Sequence, residues 1–384
     1  MPFARHLTLF PVVLLATIVS PGPTPTTGYN INDFIAYWSA GRLALGGSDP
    51  YAAEPVLALE RQVGFSQANP LIMRNPPWTV PVVAPLAVFP FVMAQKLWFV
   101  LGLIAILVSA RWLWGIYHIE GQSLWTALLL TALFLPVAVV LAIGQIGPLV
   151  LLGIAGFLHF EKQKKLIVSG LFLFLVALKP HLIFLLWIAL LVWSIRRRTL
   201  TILAALASVT LAACLIALVL DHFIFFQYIR LLASGGVLTE LTPTVSGFLR
   251  LSLGRYYPLQ IAPAFVALVW FFFHWNNSRD RWQWSEEVPV LLLVSLLTTS
   301  YGWFFDQVVL LPCVFQATAW IASTHKTTRI FVAAFYLGTN ALVLGLILSH
   351  YTTFYYGWTV PAWCLLYAFA RVRYRSPSAT ENGT

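Results

Sequence analysis

Residues 28–51 read GYNINDFIAYWSAGRLALGGSDPY and separate a short N-terminal apolar segment from a long series of further apolar segments. The two asparagines at the start predict a helix over residues 33–45, because an asparagine oxygen can accept a free N–H of the first helical turn. Gly46 and Gly47 end that helix, since glycine readily adopts the backbone of a C-terminal cap. Residues 48–51, Ser-Asp-Pro-Tyr, then form a turn. The stretch therefore predicts a polar helix at the mouth of a membrane domain.

The composition of the whole chain is that of an integral membrane protein. Of its 384 residues 60% are hydrophobic and only 9% are charged, whereas soluble proteins carry about 25% charged residues. Apolar segments recur along the chain, and a membrane-crossing helix needs roughly 17–25 apolar residues. We predict an all-α polytopic membrane helix bundle of about 10–12 transmembrane helices. The predicted segments are 6–20, 91–114, 124–143, 148–160, 166–178, 181–195, 200–220, 259–275, 288–299, 307–321, 330–349 and 354–370.

The positions of the basic residues predict the orientation of the bundle. Segment 6–20 is interpreted as a retained anchor, with a cleaved signal peptide as the alternative. If the N-terminus is cytoplasmic, every tight basic cluster falls on the inner side, as the positive-inside rule requires. We expect a multi-pass plasma-membrane protein with both termini in the cytoplasm. The inner basic residues are Arg5, Arg111, Lys162, Lys164, Lys165, Arg196, Arg197, Arg198, Arg279, Arg281, Lys326, Arg329, Arg371, Arg373 and Arg375.

The same orientation gathers the polar loops on the outer face. We predict one membrane domain over residues 1–375, followed by a flexible tail at 376–384. Its two long loops, 21–78 and 221–258, face the same side, and loops of this length tend to be functional. Residues 55–65 have the pattern of an amphipathic helix lying on the membrane surface. These features together predict a site on the outer face.

Other classes of function fit the sequence less well. The net charge of +10 arises from short basic clusters between apolar segments, which is typical of orientation signals and not of a nucleic-acid interface. The three cysteines lie singly in apolar segments without metal-ligand spacing. No carboxylates cluster as a metal site requires. We expect no nucleic-acid partner, no metal and no cofactor.

A set of short motifs resembles glycosyltransferase family 87, whose members are integral-membrane enzymes of the GT-C fold. The resemblance covers about residues 30–198 and depends on the order and spacing of the motifs. They are Asp33-Phe34-x-x-Tyr37, Ala40-Gly41-Arg42, Gly46-Gly47-x-Asp49-Pro50-Tyr51, Asn75-Pro76-Pro77, Ala84-Pro85-Leu86, Gly144-Gln145 and Ala177-Leu178-Lys179-Pro180.

The resemblance implies a polyprenyl-phosphate-linked sugar as donor, typically mannose, and an acceptor such as a lipid-linked glycan or an envelope glycolipid. The sugar, the acceptor and the linkage are not determined by the motifs. Many family members carry a histidine-containing segment where residues 301–307 of this chain read Tyr-Gly-Trp-Phe-Phe-Asp-Gln. Whether Asp306 takes over the function of that histidine stays open at this point.

Transfer from a lipid-phosphate sugar needs a base for the acceptor hydroxyl and cations for the departing phosphate. Asp33 is the predicted catalytic base, because it is the acid nearest to the first apolar segment and matches the family position. The alternative is an acid that only stabilises the helix dipole. Lys179 is the first candidate for the phosphate, against simple snorkelling of its side chain. Arg250 and Arg255 are the next candidates for binding the phosphate, with contact to an anionic lipid as their alternative role.

The remaining predicted substrate contacts are polar or aromatic groups of the outer loops and helix ends. Tyr37 shares a helix face with Asp33, and Gln145 follows a glycine at a helix end, where it suits a sugar hydroxyl. Arg42 is half a turn out of phase with Asp33, so it is a substrate contact only if the helix bends. The others, each with an interfacial or structural alternative, are Asp49, His181, Trp303 and Asp306.

Two rival functions share the predicted architecture. A transporter or flippase for a lipid-linked sugar needs polar residues spread to both membrane faces, whereas here the non-basic polar residues favour the outer face. A non-catalytic subunit of an envelope assembly would bury Asp33 against structural partners. The residues and the resemblance together predict an inverting hexosyltransferase. Its predicted partners are membrane lipids, a polyprenyl-phosphate sugar as donor and a glycan or glycolipid as acceptor.

Overall fold

A computed structural model of the chain describes residues 33–117, 123–235, 240, 242–253, 257–351 and 353–375. All regular structure in these ranges is helical, so the predicted all-α class is confirmed. The predicted anchor at 6–20, the asparagines before residue 33, Arg255 and the tail at 376–384 lie outside the described residues.

The described residues form a series of helices. They are α1 Phe34–Leu45, α2 Ala53–Gln62, α3 Val80–Ala87, α4 Phe91–Tyr117, α5 Leu124–Leu133, α6 Leu135–Ala142, α7 Gly147–Lys162, α8 Leu166–Val176, α9 Phe184–Arg197, α10 Thr201–Leu220, α11 Ile224–Ala233, α12 Val245–Leu253, α13 Tyr257–Ser278, α14 Trp284–Thr298, α15 Leu311–Ala322, α16 Lys326–Leu348 and α17 Thr359–Arg375. Short 3₁₀ helices lie at Pro77–Thr79, Pro180–Ile183, Phe304–Leu310 and Thr353–Tyr356.

Six helices in the described ranges are long and apolar enough to cross a membrane, and a bent pair adds a seventh if it counts as one span. This confirms a polytopic bundle, although length and composition give fewer crossings than the 10–12 predicted. Four other predicted crossings are the shorter helices α7, α8, α14 and α17, which have 11–17 residues. The six are Phe91–Tyr117, Pro180–Arg197, Thr201–Leu220, Leu259–Ser278, Phe304–Ala322 and Lys326–Leu348.

The predicted single helix over 124–143 is a pair, α5 and α6, bent by 64°. The bend follows from Pro136, which has no N–H to donate and opens α6. The N–H of Leu135 would be left without an intrahelical acceptor at this break. It donates instead to Asn340 Oδ1 on α16 at 2.8 Å, so the break is fixed by the neighbouring helix.

Segment 304–322 is the centre of the bundle. In an 18-residue stretch of this segment 89% of the residues are buried. The corresponding share is 22–28% for α4, α10, α16 and the span 259–278. Those outer helices present exposed apolar side chains such as Ile104, Leu211 and Leu342, which is the surface expected of helices in lipid. The central segment begins in a 3₁₀ helix that contains Asp306, so this carboxylate lies at one end of the protein core.

Close approach of α7 to the central segment depends on a glycine. A Cβ atom at Gly147 would lie 2.9 Å from Cγ2 of Val140 and 3.0 Å from Cγ1 of Val308. Both distances are shorter than ordinary side-chain contacts, so any larger residue must displace a β-branched neighbour. Gly147 therefore lets the break between α6 and α7 lie directly against the 3₁₀ helix that carries Asp306.

Candidate functional site

Gln145 is held at the junction of α6 and α7 by a helix-ending motif. Gly144 has a positive φ of 71°, which glycine adopts without a steric penalty. The N–H of Gly144 donates to Leu141 O at 3.3 Å and that of Gln145 to Val140 O at 3.1 Å. These two bonds form a Schellman motif, which fixes the backbone of Gln145 and directs its side chain.

Lys179 occupies the break between α8 and α9. The last carbonyls of α8 lack helical partners, as at every helix end. The carbonyl of Leu178 accepts from Asn75 Nδ2 at 2.8 Å, and that of Ala177 accepts from Trp78 Nε1 at 2.9 Å. The segment around Asn75 thus stabilises the break, and the Lys179 side chain is buried instead of extending to the surface.

Asp306 is fixed within the 3₁₀ helix that precedes α15. Its Oδ2 atom accepts a hydrogen bond from the N–H of Trp303 at 2.9 Å, so the carboxylate satisfies the N–H of the residue that precedes its own helix. Its Oδ1 atom lies 2.8 Å from Lys179 Nζ. Asp306 is 1% exposed, and a carboxylate buried to this degree needs such a charged partner.

Asp33 immediately precedes α1, and its side chain makes no hydrogen bond to the first turn of that helix. Its backbone N–H donates to Ile143 O at 2.8 Å, which ties the start of α1 to the end of α6. Its Oδ2 atom accepts from Gln145 Nε2 at 2.5 Å. The carboxylate is therefore directed at the Gln145 junction and does not serve as a helix cap.

Gln145 joins these groups into one hydrogen-bonded network. Its Oε1 atom accepts from Tyr37 Oη at 2.7 Å and from Lys179 Nζ at 2.9 Å. An ammonium group can only donate and a carboxylate can only accept. The amide is thus oriented by chemistry, with its oxygen toward Lys179 and its nitrogen toward Asp33. Four predicted site residues meet here, and Asp306 completes the network through Lys179.

The network tunes the acidity of Asp33. Burial raises the pKa of this carboxyl from 3.8 to about 6, partly offset by the hydrogen bond from Gln145 and the charge of Lys179, while the charge of Asp306 raises it further. A carboxyl with a pKa near 6 is mostly ionised at neutral pH and is still a stronger base than an ordinary aspartate. Burial of the carboxyl dominates this shift, although Asp33 as a whole residue is partly exposed.

Aromatic side chains line the neighbouring surface. Trp303 Nε1 donates to Tyr301 Oη at 2.8 Å, and burial raises the pKa of Tyr301 to about 12, which keeps its phenol neutral and able to donate. The ring of the exposed residue His181 lies 5.6 Å from that of Tyr301. The ring of Phe305 lies 5.1 Å from Lys179 Nζ. The predicted contacts His181 and Trp303 are therefore brought next to the network.

Arg42 and Asp49 make other contacts. Arg42 Nη1 donates to Ala87 O at 2.7 Å, at the end of α3. Asp49 Oδ1 accepts from the N–H of Tyr51 at 2.8 Å and so closes the predicted turn, while its Oδ2 lies 2.5 Å from Arg230. These hydrogen bonds connect both residues to the scaffold and not to the Asp33–Gln145 network.

Arg250 is buried within the second predicted outer loop. Its guanidinium donates to Thr242 Oγ1 at 2.7 Å and to Gln260 Oε1 at 3.2 Å. Its Nε atom is buried without a hydrogen-bond partner among the described residues. Burial lowers the pKa of Arg250, while Glu240 and Tyr301 act in the opposite direction, so the guanidinium lies near the aromatic surface.

Sequence reasoning did not identify Arg74 or Glu240. Arg74 Nη1 lies 2.6 Å from Glu240 Oε1. The charge of Glu240 raises the pKa of Tyr301 and that of Arg74 lowers it. Arg74 directly precedes the Asn-Pro-Pro motif at 75–77. This position was the signal that could have identified it. Within the described ranges no group of three or more His, Cys, Asp or Glu could hold a metal ion.

The glycosyltransferase family 87 model matches residues 74–300, more than half of the 384-residue chain. The match extends beyond residue 198, where the resemblance of the short motifs ends. It begins after α1, so Asp33 and Tyr37 lie before it, whereas Gln145 and Lys179 lie within it. No curated protein and no solved structure is significantly similar to the chain.

Proposed function

Because this chain belongs to glycosyltransferase family 87, we propose that it transfers a hexose, most simply mannose, from a polyprenyl-phosphate donor. The acceptor in this proposal is a lipid-linked glycan or an envelope glycolipid. The observation that supports it best is the hydrogen bond of 2.5 Å from Gln145 Nε2 to the carboxylate of Asp33, a residue that is partly exposed. A hydrogen-bonded carboxylate with a pKa near 6 suits a general base at neutral pH.

In this mechanism Asp33 takes the proton of the acceptor hydroxyl as its oxygen attacks the anomeric carbon. A new carbon–oxygen bond forms to the acceptor while the bond from the anomeric carbon to the phosphate oxygen breaks. The electron pair of the broken bond leaves with the lipid phosphate. Attack occurs opposite to the leaving group, so a β-linked donor gives an α-glycoside.

Lys179 is the proposed contact for the departing phosphate. An ammonium has three N–H donors, and two of them serve Gln145 Oε1 and Asp306 Oδ1. The third is available for a phosphate oxygen, where a fixed positive charge stabilises the developing negative charge. Arg250 is a second proposed contact, since its buried Nε has no partner within the described part of the chain. Arg255 remains a reserve proposed from the sequence.

The hexose is proposed to lie against the aromatic surface. Trp303 and Tyr301 present rings beside the network, and the apolar face of a sugar packs well on such rings. Gln145 and His181 are the proposed hydrogen-bond partners of its hydroxyls. Asp306 in this scheme holds Lys179 in place, which offers one answer to how the chain manages without the family histidine.

We further propose that the reaction takes place on the outer face of the plasma membrane, with both termini in the cytoplasm. The support is the sequence distribution of basic clusters, which favours one orientation. The bundle resembles the GT-C architecture in this proposal, and the lipid-facing helices would hold the donor tail beside the reacting carbon. Positioning of this kind lowers the entropic part of the barrier.

The test is transfer by the purified protein in lipid. The protein is incubated with radiolabelled polyprenyl-phosphate mannose and a membrane extract as acceptor, and label in the product is counted. We expect transfer by the wild type and its loss in Asp33→Asn. The matched control is Asp280→Asn, which removes a carboxylate that pairs with Arg196 at an exposed position.

The same preparation separates the rival functions. A flippase would move labelled donor across a sealed vesicle without forming a new glycoside, and an assembly subunit would do neither. Full transfer activity in Asp33→Asn, with a normally folded protein, would exclude Asp33 as the base. Absence of transfer in the wild type from every polyprenyl-phosphate hexose offered would refute the proposed donor.

A further inference from the structure

Two cavities lie where α8 begins and α9 ends. The larger, of about 430 Å³, is lined by residues that include Lys164, Arg197, Trp193, Trp282 and Trp284. The smaller, of about 340 Å³, shares Arg197 with it. Lys179 lies at the opposite ends of the same two helices. Because α8 and α9 have 11 and 14 residues, the cavities are about 16–21 Å from that break along the helix axes.

Two tryptophans that line the larger cavity have indole N–H groups without an acceptor among the described residues. The Nε1 atoms of Trp282 and Trp284 are buried, and neither has a hydrogen-bond partner among the described residues. The two side chains are 6% and 2% exposed, so bulk water does not readily satisfy them. Buried donors are normally paired. Two residues with unpaired indole N–H groups line the same cavity, which favours a ligand with oxygen acceptors there.

The charges around the cavities favour an anion. Arg196 is paired with Asp280 and Lys164 with Glu161, which also lines the larger cavity. No ion pair is described for Arg197, which is exposed and borders both cavities. The cations on this surface therefore outnumber the acids, even with Glu161 included. The same cations exclude a quaternary ammonium, the other ligand that a group of tryptophans attracts.

The apolar surroundings favour a lipid as the source of that anion. The neighbouring side chains of Leu191 and Ile195 are 51% and 62% exposed on a helix long enough to cross a membrane. Such side chains are expected to face acyl chains. An anionic headgroup could thus lie on Arg197 with its tails along α9, an arrangement that a free phosphate ester would not use.

We propose that the larger cavity is a binding site for the phosphate group of an anionic ligand, with Arg197 and Lys164 as cations and the indole N–H groups of Trp282 and Trp284 as donors. An acidic phospholipid is the source that the neighbouring apolar surface favours. A soluble phosphate ester has the same headgroup chemistry. The site lies away from the Asp33 network, so this inference does not depend on the proposed glycosyl transfer.

Native mass spectrometry of the purified full chain in a non-ionic detergent tests the site. Increasing amounts of phosphatidylglycerol, phosphatidylcholine or inorganic phosphate are added, and the bound adducts are counted. We expect saturable binding of phosphatidylglycerol and little binding of phosphatidylcholine. Binding of phosphate that competes with phosphatidylglycerol would support the phosphate site, whereas phosphatidylglycerol binding that phosphate does not displace would assign it to the lipid.

Two variants and their controls locate the binding. Trp282→Phe keeps an aromatic ring and removes one donor, and Arg197→Gln removes an exposed charge. Each should lower the affinity for phosphatidylglycerol about tenfold, the effect of losing one hydrogen bond to a charged group. The controls are Trp125→Phe and Arg373→Gln, two exposed residues of other helices.

Only the two variants within the site should bind phosphatidylglycerol more weakly than the wild type. The controls should bind phosphatidylglycerol as the wild type does, and all four variants should give the same melting temperature within a few degrees. Equal affinity for the two lipids in the wild type would overturn the proposal. Unchanged affinity in both Trp282→Phe and Arg197→Gln would overturn it as well, since it would locate the bound lipid elsewhere.

Discussion

Lys179 and Asp306 form a buried ion pair of 2.8 Å that connects two helix breaks separated by 127 residues of sequence. Burial of two charges carries a desolvation penalty that their attraction barely offsets. The pair is therefore a poor source of net stability. Its effect is geometric, because Lys179 also donates to Gln145 Oε1 and so fixes the amide that contacts Asp33.

The ion pair predicts an uneven response to mutation. Lys179→Met leaves the carboxylate of Asp306 buried without its cation and should lower the free energy of unfolding by about 3–5 kcal/mol. The double variant Lys179→Met/Asp306→Leu should recover most of that loss, because no buried charge is left alone. Neither variant should transfer sugar. Thermal unfolding in detergent measures stability, and a double variant as unstable as the single one would contradict this account.

Asp33 predicts the pH dependence of transfer. With a pKa of about 6, half of the base is ionised near pH 6, and the ionised fraction levels off roughly one pH unit above that midpoint. The value of kcat/KM should follow this curve if Asp33 is the base. Asp33→Asn should lower kcat/KM by about 10²–10⁴-fold, the usual contribution of general base catalysis. A profile without an acidic limb near pH 6 would contradict the assignment.

Substitutions of two neighbours of Asp33 should shift the acidic limb of the pH profile in opposite directions. The hydrogen bond from Gln145 holds the pKa of Asp33 down, so Gln145→Leu should shift the limb above pH 6. The charge of Asp306 holds the pKa up, so Asp306→Asn should shift the limb below pH 6. The control is Gln163→Leu at an exposed position, which should leave the limb in place. Shifts of the same sign in the two network variants would contradict the proposed coupling.

Asp33 also links stability to pH. Its pKa is higher in the fold than the ordinary value of 3.8, so the folded protein binds more protons than the unfolded chain between about pH 4 and 6. The contribution of Asp33 to stability is present below this window and is lost as the pH rises through it. The melting temperature of the wild type should therefore fall relative to that of Asp33→Asn between pH 4 and 6. Parallel curves for the two proteins would contradict the shifted pKa.

Local structure was largely predictable because it depends on neighbours in sequence. The helix predicted at 33–45 is α1, Phe34–Leu45, and it ends as predicted at two glycines. Gly47 has a φ of 67°, and the N–H of Ser48 donates to Leu43 O at 2.9 Å. The turn predicted at 48–51 is present and is closed by the side chain of Asp49. The predicted amphipathic helix at 55–65 is α2, shifted by two or three residues to Ala53–Gln62.

The assembly of the network was less predictable, because its contacts are distant in sequence. Gln145 and Lys179 are 34 residues apart, and Asp33 and Gln145 are 112 apart. The sequence identified each group as unusual, but no local pattern specified that Gln145 would join the others. For Arg42 the helical phase did carry information. It set Arg42 apart from Asp33, and the side chain indeed donates to a carbonyl of α3.

Packing at Gly147 gives a prediction with a clean control. Gly147→Ala should place a Cβ 2.9–3.0 Å from Val140 and Val308 and lower the free energy of unfolding by about 1–3 kcal/mol, as overpacking does. It should also weaken transfer, since Val308 belongs to the same 3₁₀ helix as Asp306. Gly345 lies in α16, where an added Cβ would have no neighbouring atom within 4 Å, and Gly345→Ala should be neutral or stabilising because alanine favours helix. Equal effects at the two glycines would refute the packing argument.

Substitutions of Arg42 can distinguish a structural role of this residue from a catalytic one. Its guanidinium donates to Ala87 O at 2.7 Å and packs on Trp38 with Cζ 5.7 Å from the ring centroid, and a cation near the end of α3 is favourable for the helix dipole. Arg42→Gln should lower the free energy of unfolding by about 1–2 kcal/mol, while kcat/KM and the midpoint of its acidic limb stay near the wild-type values. Arg42→Lys keeps the charge and should lose less stability. If Arg42→Gln abolished transfer in a protein that melts like the wild type, Arg42 would contact the substrate and the structural role would be refuted.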